Sequence, residues 1–96
     1  MAAFVYILGS HGSGGIKTYV GWTIDVAARL AKHNAGRGAR TTRGRQWTVL
    51  HVERFRTRRQ AMSREWYLKR DRKFRKAVSA RLPSAPAAAA TRPAAP

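Results

Sequence analysis

Cysteine is absent from the 96-residue sequence. A chain without thiols has no disulfide framework and no cysteine-ligated metal site. Long apolar runs are absent too, because no stretch approaches the roughly 18 residues that suggest a membrane span. The N-terminus has no charged flank followed by a long apolar segment, which a secretory signal would show. We therefore expect a soluble cytoplasmic protein.

Acidic residues are scarce, and basic residues are in large excess. Four Asp and Glu residues face twenty Lys and Arg residues, which gives a formal net charge of +16. Such an excess attracts polyanions, and guanidinium groups bind phosphate as planar forks and stack on bases. The composition therefore predicts contact with nucleic acid, with DNA as the expected partner and RNA as the alternative.

Proline is absent before position 83. All four prolines lie in residues 83–96, where most of the other residues are alanine. A segment of this composition has too few apolar side chains to cover a core. We predict one folded domain over residues 2–82, followed by a disordered Ala/Pro-rich tail over residues 83–96.

Two short apolar runs predict strands near the N-terminus. Ala3–Leu8 and Ile16–Gly21 have the length and the aromatic content that are typical of strands. The glycine-rich segment 9–15 between them is expected to be a long, flexible loop. The two runs together predict an antiparallel hairpin.

Three further elements are predicted after the hairpin. Thr23 or Asp25 is a suitable N-cap for a helix over Val26–Asn34. A third strand is expected over Trp47–Phe55, and a long helix over roughly Arg58–Val78. The order strand, strand, helix, strand, helix predicts an α+β fold, a three-stranded antiparallel sheet flanked by helices.

Arg29 and His33 form the first pair of residues that indicates chemistry. Their four-residue spacing places them on one face of the predicted helix. Val26 and Leu30 lie on the same side, so the pair is expected at the rim of the buried stripe. A permanent cation beside the imidazole favours the neutral form of His33, which can accept a proton.

Two tyrosines and one glutamate are the other candidates. Tyr6 and Tyr19 lie in the two hairpin strands, and pairing of these strands can place them on adjacent positions of the sheet. Glu65 has apolar neighbours on its helix face, so its carboxylate is expected to be partly buried and to need a partner. A divalent cation and Arg29 are both candidates for that partner. The remaining acids are expected to be helix caps and surface acids: Asp25, Glu53 and Asp71.

These residues follow one another in an order that is known from other proteins. Phe4-Val5-Tyr6 is similar to the first motif of the GIY-YIG nuclease superfamily. The later motifs of that family are similar to Tyr19-Val20-Gly21, Arg29, His33-Asn34 and Glu65. The chain thus resembles the small single-domain bacterial type, with UPF0213-like members. It departs from the family name at Phe4 and Val5, where the name has glycine and isoleucine.

The resemblance implies a metal-dependent endonuclease that hydrolyses phosphodiester bonds in DNA, with structure-selective cutting linked to DNA repair or processing. Glu65 would bind Mg²⁺ or Mn²⁺, and Arg29 would stabilise charge on the reacting phosphate. The general base stays open among Tyr6, Tyr19 and His33. The alternative is a nucleic-acid-binding module with little or no catalytic activity.

Several basic residues outside this set are expected to contact phosphates. Four of them are arginines in a loop that is rich in Gly and Thr, which suits contacts with a nucleic-acid backbone. The expected nucleic-acid-binding residues are Lys17, Arg37, Arg40, Arg43, Arg45 and Lys69. Trp22 and Trp66 are expected to pack in the core or at its rim rather than to stack on bases.

Overall fold

The N-terminal hairpin is longer, and its turn is shorter, than the sequence predicts. The structure is a computed structural model that describes residues 1–12 and 14–83. In it β1 (Ala3–Gly12) and β2 (Gly15–Thr23) pair antiparallel along their whole lengths, from Phe4 opposite Thr23 to Gly12 opposite Gly15. The long flexible loop expected over residues 9–15 is therefore wrong. Strand pairing continues through the glycines, since Gly9 leaves room for Leu50 and Gly12 for the Arg45 guanidinium.

A third strand completes the predicted three-stranded antiparallel sheet. β3 (Thr48–Phe55) pairs antiparallel with β1, and the strand order is β2-β1-β3. The register shifts between Ile7 and Leu8, which is the local irregularity of a bulge. β1 is the central strand, so its side chains are buried on both faces of the sheet. The predicted α+β fold class is confirmed.

The first helix follows the sequence prediction to the residue. α1 (Val26–Asn34) begins after Asp25, whose carboxylate accepts a hydrogen bond of 3.0 Å from the backbone N–H of Ala28. An N-cap of this kind satisfies one of the free N–H groups of the first turn. Asp25 is thus the cap, and its carboxylate is used within its own helix.

The predicted long helix over Arg58–Val78 is wrong, because two helices occupy this segment. α2 (Arg58–Arg70) begins with a capping box between Thr57 and Gln60. Asp71 leaves the helical conformation, with φ −95° and ψ 83°, and its carboxylate caps α3 (Arg72–Ser79) through the N–H of Phe74. A short side chain that accepts from the backbone two or three residues later competes with a continuous helix. The chain therefore turns at Asp71.

Two hydrophobic clusters cover the two faces of the sheet. The larger cluster joins the sheet to α2 and α3, and it is built from Ala3, Val5, Ile7, Val20, Leu50, Ala61, Leu68 and Val78, with Trp22, Phe55, Phe74 and Leu82 packed against it. The smaller cluster lies on the opposite face with Tyr6, Leu8 and Trp47 at its centre and Tyr19, Leu30 and Val49 around them. Alternation along β1 decides which cluster a residue joins. Tyr6 is thereby directed to the face that α1 covers.

Glu53 ties β3 to α2. Its carboxylate accepts two hydrogen bonds from Arg64, of 2.8 and 3.1 Å, and one of 2.8 Å from Nε2 of His51. The Arg64 guanidinium, followed by His51, holds the pKa of Glu53 below its ordinary value although partial burial opposes this. Glu53, which was expected to be a helix cap or a surface acid, is thus a partly buried partner of Arg64 and His51.

Two expectations concern the chain as a whole. Within residues 1–12 and 14–83 no helix is long and apolar enough to cross a membrane. The tail predicted over residues 83–96 lies, except for Pro83, outside the described residues. The domain boundary at residue 82 stays a prediction.

Candidate active site

Tyr6 lies in the middle of the central strand, directly opposite Gly21 of β2. Its side chain is 1% exposed. A Cβ atom added to Gly21 would lie 2.5 Å from the Tyr6 hydroxyl oxygen and 3.1 Å from the Tyr19 ring. Gly21 therefore makes space for the phenol, which explains why glycine follows Tyr19-Val20. Burial raises the pKa of Tyr6 to about 12, although the nearby guanidinium of Arg29 opposes this rise.

His33 is linked to Tyr6 and to the loop after α1 by a chain of hydrogen bonds. Nε2 of His33 lies 3.0 Å from the Tyr6 hydroxyl, and Nδ1 lies 2.8 Å from Oγ1 of Thr42. The Thr42 hydroxyl donates to the carbonyl of Ala39 at 2.8 Å. A hydroxyl has one proton, so Thr42 can only accept from His33. Nδ1 therefore has the proton, Nε2 has the lone pair, and Tyr6 donates to it.

His33 is fully buried, whereas it was expected at the rim of the buried stripe of the helix. Burial lowers its pKa below the ordinary value, and the charge of Arg29 lowers it further. Gly38 makes the burial possible, because a Cβ atom there would collide with the imidazole ring. The neutral form that the sequence predicts is thus favoured by two causes, and desolvation is the larger.

Arg29 lies one helical turn before His33 and is partly buried. Its guanidinium lowers the pKa values of both Tyr6 and His33. In the part of the chain that the structure describes, no carboxylate lies within 4.0 Å of this guanidinium. Its positive charge is therefore free to attract an anion at the Tyr6–His33 pair. The alternative in which Arg29 pairs with Glu65 does not fit this geometry.

Tyr19 lies on the same face of the sheet as Tyr6, at the diagonal position, because it pairs with Leu8. Its ring centroid is 6.3 Å from that of Tyr6 and 4.8 Å from that of His33. It also lines a cavity of about 280 Å³ together with Thr41 and Lys69. The two tyrosines thus differ: Tyr6 is hydrogen-bonded and buried, and Tyr19 borders open space.

A backbone clip fixes the loop that contains Thr42. The side chain of Asn34 accepts from the N–H of Trp47 at 2.6 Å and donates to its carbonyl at 3.2 Å. The indole N–H of Trp47 then donates to the carbonyl of Thr42 at 2.8 Å. Sequence reasoning did not find Thr42 or Trp47. The signal was weak, since a threonine in a basic loop is expected in solvent.

Glu65 lies on α2 close enough to Tyr6 for its charge to raise the pKa of Tyr6. The carboxylate is 20% exposed, and its partner is the ammonium group of Lys69 at 3.5 Å. No group of three or more His, Asp or Glu residues suited to hold a metal ion occurs among residues 1–12 and 14–83. A single accessible carboxylate suits Mg²⁺, which keeps several waters and takes one or two carboxylates together with substrate phosphates. Glu65 therefore fits such an ion as its single protein ligand.

The predicted phosphate-binding residues do not form one group. Arg37, Arg40 and Arg43 are exposed on the loop after α1. Arg45 instead donates to the carbonyl of Ser10 at 3.3 Å and packs on the hairpin end. The exposed Lys17 is placed opposite Ser10 on β2. The remaining residue of the set, Lys69, lies beside Tyr19.

The two tryptophans have different environments. Trp22 is partly buried against the larger core cluster, as expected. Trp66 is 51% exposed, so the expectation of core or rim packing is wrong for it. The guanidinium of Arg70 stacks 3.7 Å from the centre of the Trp66 ring. The Arg70 guanidinium thus covers one part of the Trp66 ring, and the ring does not need to pack in the hydrophobic core to be partly shielded from solvent.

Comparison with known proteins places these residues in a family. A family model described as the GIY-YIG catalytic domain matches residues 2–77. A UPF0213 protein of Halobacterium salinarum is 50% identical over 52 residues, which cover 53% of this chain and 68% of the relative. A UPF0213 protein of Clostridium perfringens is 40% identical over 68 residues, which cover 70% of each chain. The solution NMR structure of a UPF0213 protein from Bacillus halodurans is 36% identical, with a TM-score of 0.46 over 82% of this chain and 84% of that chain.

The matched segments cover from 52% to 70% of the lengths of such relatives. The family match includes every element from β1 to the greater part of α3, and with it all the residues of the candidate site. A domain of this kind indicates nuclease activity and contact with nucleic acid in general terms. The chain therefore belongs to the GIY-YIG family, and its relatives include the small UPF0213 proteins.

Proposed function

We propose that the protein is a divalent-metal-dependent endonuclease that hydrolyses phosphodiester bonds in DNA. It selects its substrate by structure and serves DNA repair or processing in the cytoplasm. The single observation that supports this best is the hydrogen bond from Tyr6 to the lone pair of His33. A phenol that donates to a neutral imidazole can pass on its proton while its oxygen accepts another from water.

The proton path follows from the hydrogen bonds. The attacking water gives a proton to the Tyr6 oxygen as the Tyr6 proton moves to Nε2 of His33. The raised pKa of Tyr6 makes a free phenolate a poor resting state at neutral pH, so the transfer to His33 has to accompany the attack. These hydrogen bonds support Tyr6 and His33 together as the base, and Tyr19 would then orient the substrate at the cavity.

Negative charge on the reacting phosphate would be stabilised by Arg29 and by a metal ion held by Glu65. Arg29 lies beside the Tyr6 hydroxyl, where a phosphate oxygen would gain charge during attack. Glu65 would hold Mg²⁺ or Mn²⁺, with water in the other positions. Such an ion, when bound, stabilises the charge on the leaving oxygen and the phosphate. The exposed arginines of the loop, with Lys17 and Lys69, bind flanking phosphates.

The test is cleavage of branched, flapped and single-stranded DNA with Mg²⁺, with Mn²⁺ and with a chelator. The Glu65→Gln variant is compared with wild type and with Asp25→Asn, a matched control that removes one carboxylate charge and keeps the helix cap. We expect Glu65→Gln to lose cleavage and Asp25→Asn to keep it. Equal cutting by all three proteins would overturn the role of Glu65.

A second candidate function is a nucleic-acid-binding module without useful turnover, on DNA or RNA. The observation that favours it is the closed state of the site, because Tyr6 and His33 are almost fully buried and Glu65 is paired with Lys69. It predicts binding that weakens steeply with salt, by roughly 0.9 log units per log unit of salt for each phosphate contact on duplex DNA. It also predicts no cleavage with either metal.

A further inference from the structure

Two cavities adjoin along the outer side of β2, which is an edge strand of the sheet. The first, of about 280 Å³, is lined by Thr18, Tyr19, Val20, Thr41, Lys69 and Arg75. The second, of about 240 Å³, is lined by Ile16, Thr18, Arg72, Arg75, Lys76 and Ser79. Both include Thr18 and Arg75, so they are adjacent, and we name the two together the β2–α3 groove. It begins at Tyr19 and runs toward the hairpin end at Ile16.

The lining of the β2–α3 groove is complementary to an anion. It contains four basic side chains, those of Lys69, Arg72, Arg75 and Lys76. Besides the Tyr19 hydroxyl it contains three more, on Thr18, Thr41 and Ser79. Within the described part of the chain none of the lining residues is acidic. Cations alternating with hydroxyls are the groups that bind the phosphates and sugars of a nucleic-acid strand.

Arg75 is fixed at the centre of the groove before any ligand arrives. Its guanidinium donates to the carbonyl of Leu68 at 3.1 Å, to that of Lys69 at 3.0 Å and to Oγ1 of Thr18 at 3.5 Å. These bonds satisfy carbonyls at the C-terminal end of α2, which is a structural role. They also hold the Arg75 guanidinium in place between the two cavities. Binding of a strand would therefore cost little further side-chain entropy at Arg75.

We propose that the β2–α3 groove binds the phosphodiester backbone of one nucleic-acid strand on one side of the reacting phosphate. This inference rests on the proposed function for the position of the reacting phosphate beside Tyr19. The strand would leave the site past Lys69 and Thr41, cross Arg75 and Thr18, and end at Arg72 and Lys76. We assign the lining cations and hydroxyls to phosphate and sugar contacts, which position the strand along this path. The loop after α1 is separate from the groove except at Thr41.

The first test measures binding of a short fluorescent single strand, as DNA and as RNA, over a range of salt. Arg72→Gln/Lys76→Gln is compared with Arg54→Gln/Arg56→Gln, which removes the same charge from exposed positions on β3 and the turn after it. Loss of two phosphate contacts lowers the log–log salt slope by about 1.4 and the affinity at 0.1 M salt by roughly 20-fold. We expect the affinity of the control variant to fall by no more than about threefold, because it loses the same net charge but no phosphate contact in the groove. Equal losses of affinity in the two double variants would overturn the proposal that the groove binds the strand.

The second test uses the absence of native cysteine. Ile16→Cys, at the far end of the groove and 46% exposed, introduces a single thiol, and Thr48→Cys introduces one on the opposite edge strand. A strand with a thiol-reactive tether on its backbone should cross-link to the first variant and not to the second. Cross-linking of the two at the same rate contradicts the proposal.

These tests separate the groove from the proposed nuclease activity. If the wild-type protein cuts no substrate but the groove variant loses binding and Ile16→Cys cross-links, the nuclease proposal fails and the groove stands. If the protein cuts DNA and both double variants bind and cut alike, the groove is wrong and the nuclease proposal is untouched. Preference for RNA over DNA in the binding arm identifies the strand without changing the site.

Discussion

The hydroxyl of Tyr6 donates a hydrogen bond to Nε2 of His33 across 3.0 Å, although 27 residues separate them in the sequence. The central strand provides the phenol and the first helix provides the imidazole. Both side chains are buried, so the hydrogen bond is formed in a medium of low polarity, where it is stronger than in water. This contact makes the choice among the three candidate bases testable.

Replacement of each tyrosine by phenylalanine separates their roles. In Tyr6→Phe the proton donor to His33 is lost, and we expect the cleavage rate to fall by about 10²–10⁴, the usual contribution of a positioned acid or base. Tyr19→Phe should cost roughly tenfold or less, because its hydroxyl orients rather than transfers a proton. Single-turnover rates over a range of pH give the comparison. A larger loss for Tyr19→Phe would assign the base to Tyr19 instead.

Thr42→Val removes the acceptor of the His33 Nδ1 proton and nearly keeps the side-chain shape. A buried N–H without a partner costs about 1–3 kcal/mol, so the variant should be less stable and its imidazole should lose the preference for the Nδ1–H tautomer. Nitrogen chemical shifts of His33 report the tautomer, and urea unfolding reports stability. Thr42→Ser keeps the hydroxyl and should behave as wild type. Unchanged shifts in Thr42→Val would contradict the hydrogen-bond chain.

Gly38→Ala should displace the His33 ring. A Cβ atom at this position collides with the imidazole, and overpacking of a buried site costs about 1–3 kcal/mol. Gly14→Ala is the matched control, because no atom lies within 4 Å of its added Cβ. Thermal melts should show the loss in the first variant alone, together with loss of cleavage below its melting temperature. Equal stability of the two would mean that the loop moves away without cost.

Stability should decrease in two steps as the pH falls. The folded-state pKa of His33 lies below its ordinary value of 6.5, so below that pH the unfolded chain takes up a proton that the native state refuses. The folded-state pKa of Glu53 lies below its ordinary value of 4.5, so its contribution is complete above that value and is lost as the pH falls through the folded pKa. The measurement is the free energy of unfolding at a pH above 6.5, at a pH between 6.5 and 4.5, and at a pH below 4.5. Glu53→Gln should remove only the second step.

Local sequence signals predicted those parts of the molecule in which neighbours along the chain decide the structure. The bounds of α1 followed from a cap expected at Thr23 or Asp25 and from the glycines after Asn34, and both signals are local. The hairpin turn was placed wrongly, because glycine in a strand is disfavoured until another side chain fills its space, as Leu50 and Arg45 do. Neither of those residues is near the hairpin in sequence.

The membership of the candidate site stays a prediction, and the sequence did not predict how its residues are arranged. Tyr6 and His33 are joined by a hydrogen bond, and the charge of Arg29 lowers the pKa values of both. The depth of His33 was missed, since burial of an imidazole depends on Gly38 and Thr42 in a loop that local patterns describe as solvated. The break at Asp71 was missed for a related reason, because the residue that satisfies the freed carbonyls, Arg75, comes from the next helix.

The hydrogen-bond chain from Tyr6 through His33 and Thr42 ends at the carbonyl of Ala39, which has no proton to pass on. A proton that enters at Tyr6 therefore has no exit at the other end. In the proposed mechanism His33 would hold this proton as a buried positive charge beside Arg29, and the proton would have to leave again through the Tyr6 hydroxyl. Each catalytic cycle would have to end with this proton returned to the leaving group or to water on the substrate side, so product release and resetting of the base would be linked events.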